Sequence, residues 1–165
     1  MYWTNGPITL YHGTRRDFAT DIVDNGVRFD AFPGKRIHLD FGPGFYTTEN
    51  IEQAAAWADM RHRQQAAIVT LVMDRERLTK LDCLAFGNAT SSFWNLVRHH
   101  RLGGGADHLR PTQPPLYDMV VGPVAWRWDR DLRRCAAEEG YDQISFHTEA
   151  AGRVLRASTR TWEPV

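Results

Sequence analysis

The sequence predicts an α+β fold, and three observations carry the prediction. Segments of helical and of strand periodicity follow one another without the regular alternation that builds a doubly wound parallel sheet. Glycine and proline punctuate them, as at Phe32-Pro33-Gly34 and Gly103-Gly104-Gly105, with no internal repeat or low-complexity tract. The 165 residues suit one domain spanning 1–165, long enough to bury about two-thirds of the surface its unfolded chain exposes.

Residues 8–11 form a short apolar strand that delivers His12 at its end. Over 17–25, Phe18, Ile22 and Val23 recur at helical spacing with Gly26 as the stop, so a short helix is expected there, capped by Thr14 or Asp17. The turn at 32–34 separates short extended pieces within 27–39. Residues 45–48 are extended, and Asn50 caps a helix over 51–65 whose apolar face is Ile51, Ala54, Ala55 and Ala58. The β-branched, apolar run 67–73 is the best buried strand. Beyond it come a helix over 93–101, a strand over 118–124 and a helix over 129–139 stopped by Gly140. A strand over 143–147, a helix over 149–155 and an edge strand over 159–162 complete the reading.

Lysine plus arginine equals aspartate plus glutamate, 20 against 20, so no global field drives the chain onto nucleic acid or an anionic membrane. No apolar run approaches the ~18 residues of a membrane span. Residues 1–9 lack the basic and apolar regions of a signal peptide. Cys83 and Cys135 fall outside any paired-ligand spacing, which argues against a disulfide framework or a structural zinc site and for a reducing cytoplasm. Cys83 also has no basic activator beside it, so a nucleophilic role is not expected.

Two stretches concentrate the chemistry. In His12-Gly13-Thr14 the imidazole can bond a ribose hydroxyl, the Gly13 backbone a carboxamide edge and the Thr14 hydroxyl a third polar group; taken alone, the stretch reads first as a turn histidine capping the helix that follows, because strand-Gly-helix turns are common. Gly42-Pro43-Gly44-Phe45-Tyr46 lacks the third glycine of the dinucleotide fingerprint and the Gly-Lys-Ser/Thr of a phosphate loop. It is a glycine-bounded loop presenting Phe45 and Tyr46, at least one of which packs in a core. Trp57, on the helix that follows, either sandwiches a planar ring with Tyr46 or is itself core.

Strand alternation in 141–147 sets Gln143 and Ser145 on one face and Ile144 and Phe146 on the other. Gln143 then either binds a sugar hydroxyl or is a solvated edge residue. His99, His100 and His108 with Arg98, Arg101 and Arg110 form the one basic cluster, in a stretch read as flexible and either solvated or in contact with substrate. It lacks metal-ligand spacing, and Asp107 is its only carboxylate.

In order, His-Gly-Thr at 12–14, Gly-x-Gly-Phe-Tyr at 42–46, an aromatic residue eleven positions after the tyrosine, and Gln-Ile-Ser-Phe-His at 143–147 resemble the ADP-ribosyltransferases of the diphtheria-toxin and poly(ADP-ribose) polymerase type. The resemblance spans 8–155 and extends to small bacterial members with Leu-Asp-Phe-Gly-x-Gly-Phe-Tyr and Tyr-Asp-x-Val-x-Gly-Pro-Val, here 39–46 and 117–124.

That resemblance implies a split pair of antiparallel sheets clasping NAD and a histidine, tyrosine, glutamate triad. His12 would hold a ribose hydroxyl of NAD, Gly13 would pair its backbone with the nicotinamide amide assisted by Thr14, and Tyr46 and Trp57 would stack on the nicotinamide, with Gly44 in the binding loop. The third place holds Gln143 instead of glutamate; it hydrogen-bonds but brings no negative charge and cannot act as a base, which implies single ADP-ribose transfer over chain elongation. Glu149 ranks second for that place.

NAD would be the co-substrate, with no metal and no membrane partner. The acceptor would be a macromolecule, protein or nucleic acid, contacted by the 98–110 stretch. Small members of this look are often toxins or effectors, which implies an antitoxin or immunity protein as partner. The alternatives are an NAD- or ADP-ribose-binding module without turnover and a metal-dependent hydrolase using His99, His100 and Asp107.

Overall fold

The computed structural model describes residues 6–29, 39–127 and 135–165. In chain order the elements are β1 (Ile8–Arg15), α1 (Arg16–Asn25), β2 (Phe45–Thr47), α2 (Ile51–His62), β3 (Ala66–Met73) and α3 (Arg75–Leu78). They continue with β4 (Cys83–Ala85), α4 (Ser91–Arg101), β5 (Met119–Arg127), β6 (Ala136–Phe146), α5 (Glu149–Arg156) and β7 (Thr159–Pro164). The fold is α+β, as the irregular succession of periods predicts.

β3, the most apolar run, lies between β1 and β7 in an antiparallel three-stranded sheet. The second sheet has the order β2-β6-β5-β4. Its β4–β5 pair is parallel, so the expected wholly antiparallel pair of sheets is corrected at that edge. A two-way backbone bridge between Tyr11 and Thr48 joins the sheets where β1 meets β2.

One core cluster takes Leu10, Val69 and Leu71 from the first sheet, Phe45, Ile144 and Phe146 from the second, and Ala19, Ala151 and Leu155 from α1 and α5. A second cluster covers the other face of the four-stranded sheet, where Phe93, Leu96 and Val97 of α4 meet Phe41, Val120 and Ala125, with Tyr46 packed against them. The four-stranded sheet is therefore apolar on both faces.

Local signals explain most helix boundaries. The Asn50 side chain accepts from the backbone N–H of Glu52 at 2.9 Å and Gln53 at 3.2 Å, as its position before α2 predicts. Thr90 and Thr148 cap α4 and α5 in the same way. At α1 neither expected cap operates: the N-cap position is Arg15, Thr14 is buried inside β1, and the Asp17 carboxylate is engaged by Arg15 at 2.6 Å.

Several expectations are corrected. β1 does not end before His12 but continues to Arg15, because its ladder with β3 extends to the Arg15–Ala66 pair. α2 ends at His62 and passes into a 3-10 turn over Arg63–Gln65. Its packed face is Ala54 and Ala58, while Ile51 is exposed. The helix expected over 129–139 is strand from 136 onward, where Ala136, Ala137 and Glu138 pair with β5; residues 129–134 lie outside the described residues. Ladder hydrogen bonds and sheet packing outweigh the helix propensity of Ala-Ala-Glu-Glu there. The expected turn at 32–34 also lies outside the described residues, and α3 and β4 are short elements that no periodicity in the sequence marks. Among the described residues no helix is long and apolar enough to cross a membrane.

Candidate active site

His12 occupies the interior of β1, with its ring stacked on Phe45 at 4.2 Å between centroids. Its Nδ1 lies 2.6 Å from the Tyr46 carbonyl oxygen. A carbonyl only accepts, so Nδ1 carries the proton and donates, which leaves Nε2 as an acceptor. Burial lowers the imidazole pKa to about 4, against the raising effect of that hydrogen bond, so the ring is neutral near pH 7. Gly13 is required by packing: a Cβ there would collide with the Ala54 carbonyl oxygen of α2 and come within 3.2 Å of the Ala58 Cβ. Thr14, only 6% exposed, completes a strand residue set in which His12 and Thr14 share one side and Gly13 the other.

Tyr46 leaves β2 on the face opposite Phe45. Its hydroxyl donates to the Gly42 carbonyl at 2.7 Å and accepts from the Phe41 N–H at 3.0 Å, so the phenol staples the loop that precedes it. Burial first, and the nearby Asp40 charge, raise its pKa well above the usual value. Tyr46 pairs with Ser145 across the β2–β6 ladder, which puts Tyr46, Ser145 and Gln143 on one face of the sheet.

Gln143 sits opposite Gly122, beside the register shift between Pro123 and Val124 that bulges β6. Its Nε2 donates to Asp40 Oδ2 at 2.6 Å and to the Pro123 carbonyl at 3.1 Å. Asp40 is 5% exposed and is the residue that reasoning from sequence misses. On its Oδ1 it accepts from Arg101 Nε at 2.9 Å and from Arg101 Nη2, and on its Oδ2 also from the Ala125 N–H at 2.9 Å. The available signal is a lone carboxylate between Leu39 and Phe41, an acid in an apolar run that must find partners on burial.

The basic cluster is not a solvated loop. Arg101 is bound to Asp40; Arg110 pairs with Asp82 and stacks on Tyr117 at 4.5 Å. His100 and His108 are 7% and 3% exposed and, with His147, form a buried pad beneath the loop over 41–44. His147 Nδ1 donates to the Pro43 carbonyl at 2.8 Å and its Nε2 lies 2.8 Å from the Ser145 hydroxyl. His100 packs against Gly42, whose φ of +83° suits glycine, and His147 against Gly44. Burial lowers the pKa of His100 and His108 to about 4 and of His147 to about 3. His99 Nε2 is 3.4 Å from Asp107 Oδ2, yet among the described residues no group of three or more His, Cys, Asp or Glu is placed to hold a metal ion.

The structure thus links His12 to Tyr46 through a backbone carbonyl, and Tyr46 to Gln143 through a shared sheet face and the Asp40 loop. Trp57 stands apart, 40% exposed on α2 with the Arg61 guanidinium 4.2 Å above its ring; among the described residues its ring contact is Arg61, not Tyr46. Glu149 is at the start of α5, paired with Arg156 and away from the Gln143 face.

The family described as "Protein of unknown function (DUF3990)" matches residues 8–127, most of the 165-residue chain. The chain belongs to this family. His12, Asp40, Tyr46, Trp57 and Arg101 fall inside the family match, whereas Gln143 and the rest of β6 follow it. No curated protein matches the chain.

Proposed function

We propose that the protein is a mono-ADP-ribosyltransferase that cleaves NAD at its nicotinamide–ribose bond and transfers ADP-ribose to a macromolecular acceptor. The observation that carries this reading is the 2.6 Å hydrogen bond from His12 Nδ1 to the Tyr46 carbonyl. It ties together, across two sheets, the two motifs whose order in the chain resembles that enzyme class, and it leaves His12 Nε2 as the acceptor a ribose hydroxyl needs. Gln143, on the face it shares with Tyr46, adds a polar group for the second ribose. The ADP-ribosyltransferase arrangement of two sheets about NAD, the stacking of nicotinamide on Tyr46 and Trp57, and the toxin role with its neutralising partner belong to the same proposal.

In this mechanism the neutral His12 and Gln143 orient the two riboses, and Tyr46 supplies a stacking face. The C–N bond to nicotinamide breaks with its electron pair leaving on nicotinamide, and an acceptor nucleophile adds to the cationic ribosyl carbon and loses its proton. Positioning and preorganised dipoles supply most of the acceleration. Incubation with NAD is expected to release nicotinamide, and His12→Ala or Tyr46→Ala to cut the release by about a hundredfold or more with folding retained. Saturable NAD binding without release supports the non-catalytic binding module instead. Labelled NAD in a lysate, followed by protease or nuclease digestion, identifies the acceptor class.

A further inference from the structure

The polar partners of Gln143 dictate which way its amide points. Asp40 Oδ2 and the Pro123 carbonyl oxygen lie 2.6 Å and 3.1 Å from the same atom of Gln143. The carbonyl can only accept. Asp40 already accepts from Arg101 and from the Ala125 N–H, so it too presents lone pairs. Two acceptors on one side demand the NH2 group there, whatever orientation is drawn for the amide. Both amide hydrogens are then committed, and Oε1 is the only group Gln143 has left for a ligand. The bulge in β6 next to it sets the side chain at the end of the regular ladder.

We propose that Asp40 is a positioning residue that locks Gln143 as an obligatory hydrogen-bond acceptor for a ribose hydroxyl of NAD, with Arg101 holding Asp40 in place. The inference rests on the transferase reading given above. It accounts for glutamine where a glutamate stands in the enzymes this chain resembles. The pair divides the work of one carboxylate: Gln143 supplies the accepting oxygen, and the negative charge resides on Asp40, 2.6 Å behind the amide nitrogen, where it polarises the amide toward Oε1.

The arrangement makes the effect of placing glutamate at 143 depend on pH. In Q143E two carboxyl groups face each other at hydrogen-bond distance and cannot both ionise there. At alkaline pH the introduced carboxylate is repelled from Asp40 and leaves its place. When it protonates, its O–H donates to Asp40 and its carbonyl oxygen takes the accepting role. In D40N the side chain at 40 must turn an amide N–H toward either the Arg101 guanidinium or the Ala125 N–H, both donors, so it no longer anchors Gln143, which keeps only the Pro123 carbonyl.

The test measures nicotinamide release and NAD affinity for the full chain, Q143E and D40N, with thermal unfolding confirming the fold. The expected result is a loss of about tenfold or more in kcat/KM for each single change at about pH 8. Q143E alone should regain activity as pH falls from about 8.5 to about 6.5, which needs no D40N and stands even if that variant misfolds. Full or increased activity of Q143E at about pH 8, or a flat pH profile, overturns the proposal while leaving the transferase reading intact. If the unmodified protein neither binds NAD nor releases nicotinamide, the transferase reading and this inference both fall.

Discussion

Gly13 shows how one residue couples packing to the candidate site. A side chain at this strand residue would meet α2 crossing directly over it, at the Ala54 carbonyl and the Ala58 Cβ. That close approach brings α2 against β1 at the level of His12. Gly13→Ala is expected to cost about 3 kcal/mol, since the collision is with backbone that cannot rotate away. Gly87, where an added methyl group would meet nothing within 4 Å, is the control, and Gly87→Ala should stay within about 0.5 kcal/mol. Urea midpoints at equal m-value measure both; equal midpoints for the two variants would remove the packing role assigned to Gly13. His12 and Asp40 make the same point in polar terms, because the value of each lies in partners far along the chain.

At the scale of elements, α2 packs on β1 and β3 of the first sheet and reaches the second through one side chain. Its N-terminal turn carries Gln53, whose Oε1 accepts from the Thr48 hydroxyl at 3.0 Å and whose Nε2 donates to the Asp142 carbonyl at 3.2 Å. One side chain thereby connects the end of β2 to β6 just before Gln143. The helix depends on its cap: Asn50→Ala is expected to lose about 1 kcal/mol and about 2–4 °C in Tm, and Asn50→Asp to retain most of the stability. Calorimetry checks both, and an unchanged Tm for Asn50→Ala would show that packing of Ala54 and Ala58 alone holds the helix start. Asn50 and the strand at 45–47 are legible in the sequence because caps and short extended runs are encoded within a few residues. The strand that begins at Ala136 is not, because its conformation is decided by pairing with β5, a separate segment of the chain adjacent in space.

For the molecule as a whole, the buried histidines set the response to acid. His12, His100, His108 and His147 have native pKa values of about 4, 4, 4 and 3, below the unfolded value of 6.5. Between those limits the unfolded chain binds more protons than the native one, so stability rises with pH across that window. The contribution is fully present above about pH 6.5 and is lost as pH falls, by up to ~1.4 kcal/mol per pH unit for each ring. Tryptophan fluorescence and near-ultraviolet circular dichroism should therefore show constant stability above about pH 7 and a steep decline below about pH 6. A stability that stays flat down to about pH 4.5 would mean that these rings are protonated in the native state. The rings of His100, His108 and His147 lie under the 41–44 loop, so acid should loosen the loop that joins Asp40 to β2 and Tyr46 as part of the same transition.

By itself, the sequence determined the α+β class, the order of most elements, the Asn50 cap of α2, the ordered set of motifs that includes His12, Tyr46 and Gln143, and the resemblance that suggests NAD. Those are properties of periodicity, caps and short motifs, which act through neighbours only a few residues apart. The tertiary structure alone decided that Gln143 is bound to Asp40 across 103 residues, that Arg101 is bound to Asp40 across 61, and that His147 supports Pro43 across 104. It also turned a basic stretch that reads as flexible into a buried histidine pad and an ion pair. Such contacts follow from sheet register and from how two sheets and their helices close on each other. These are sums over many pairings, and no local run of residues announces them.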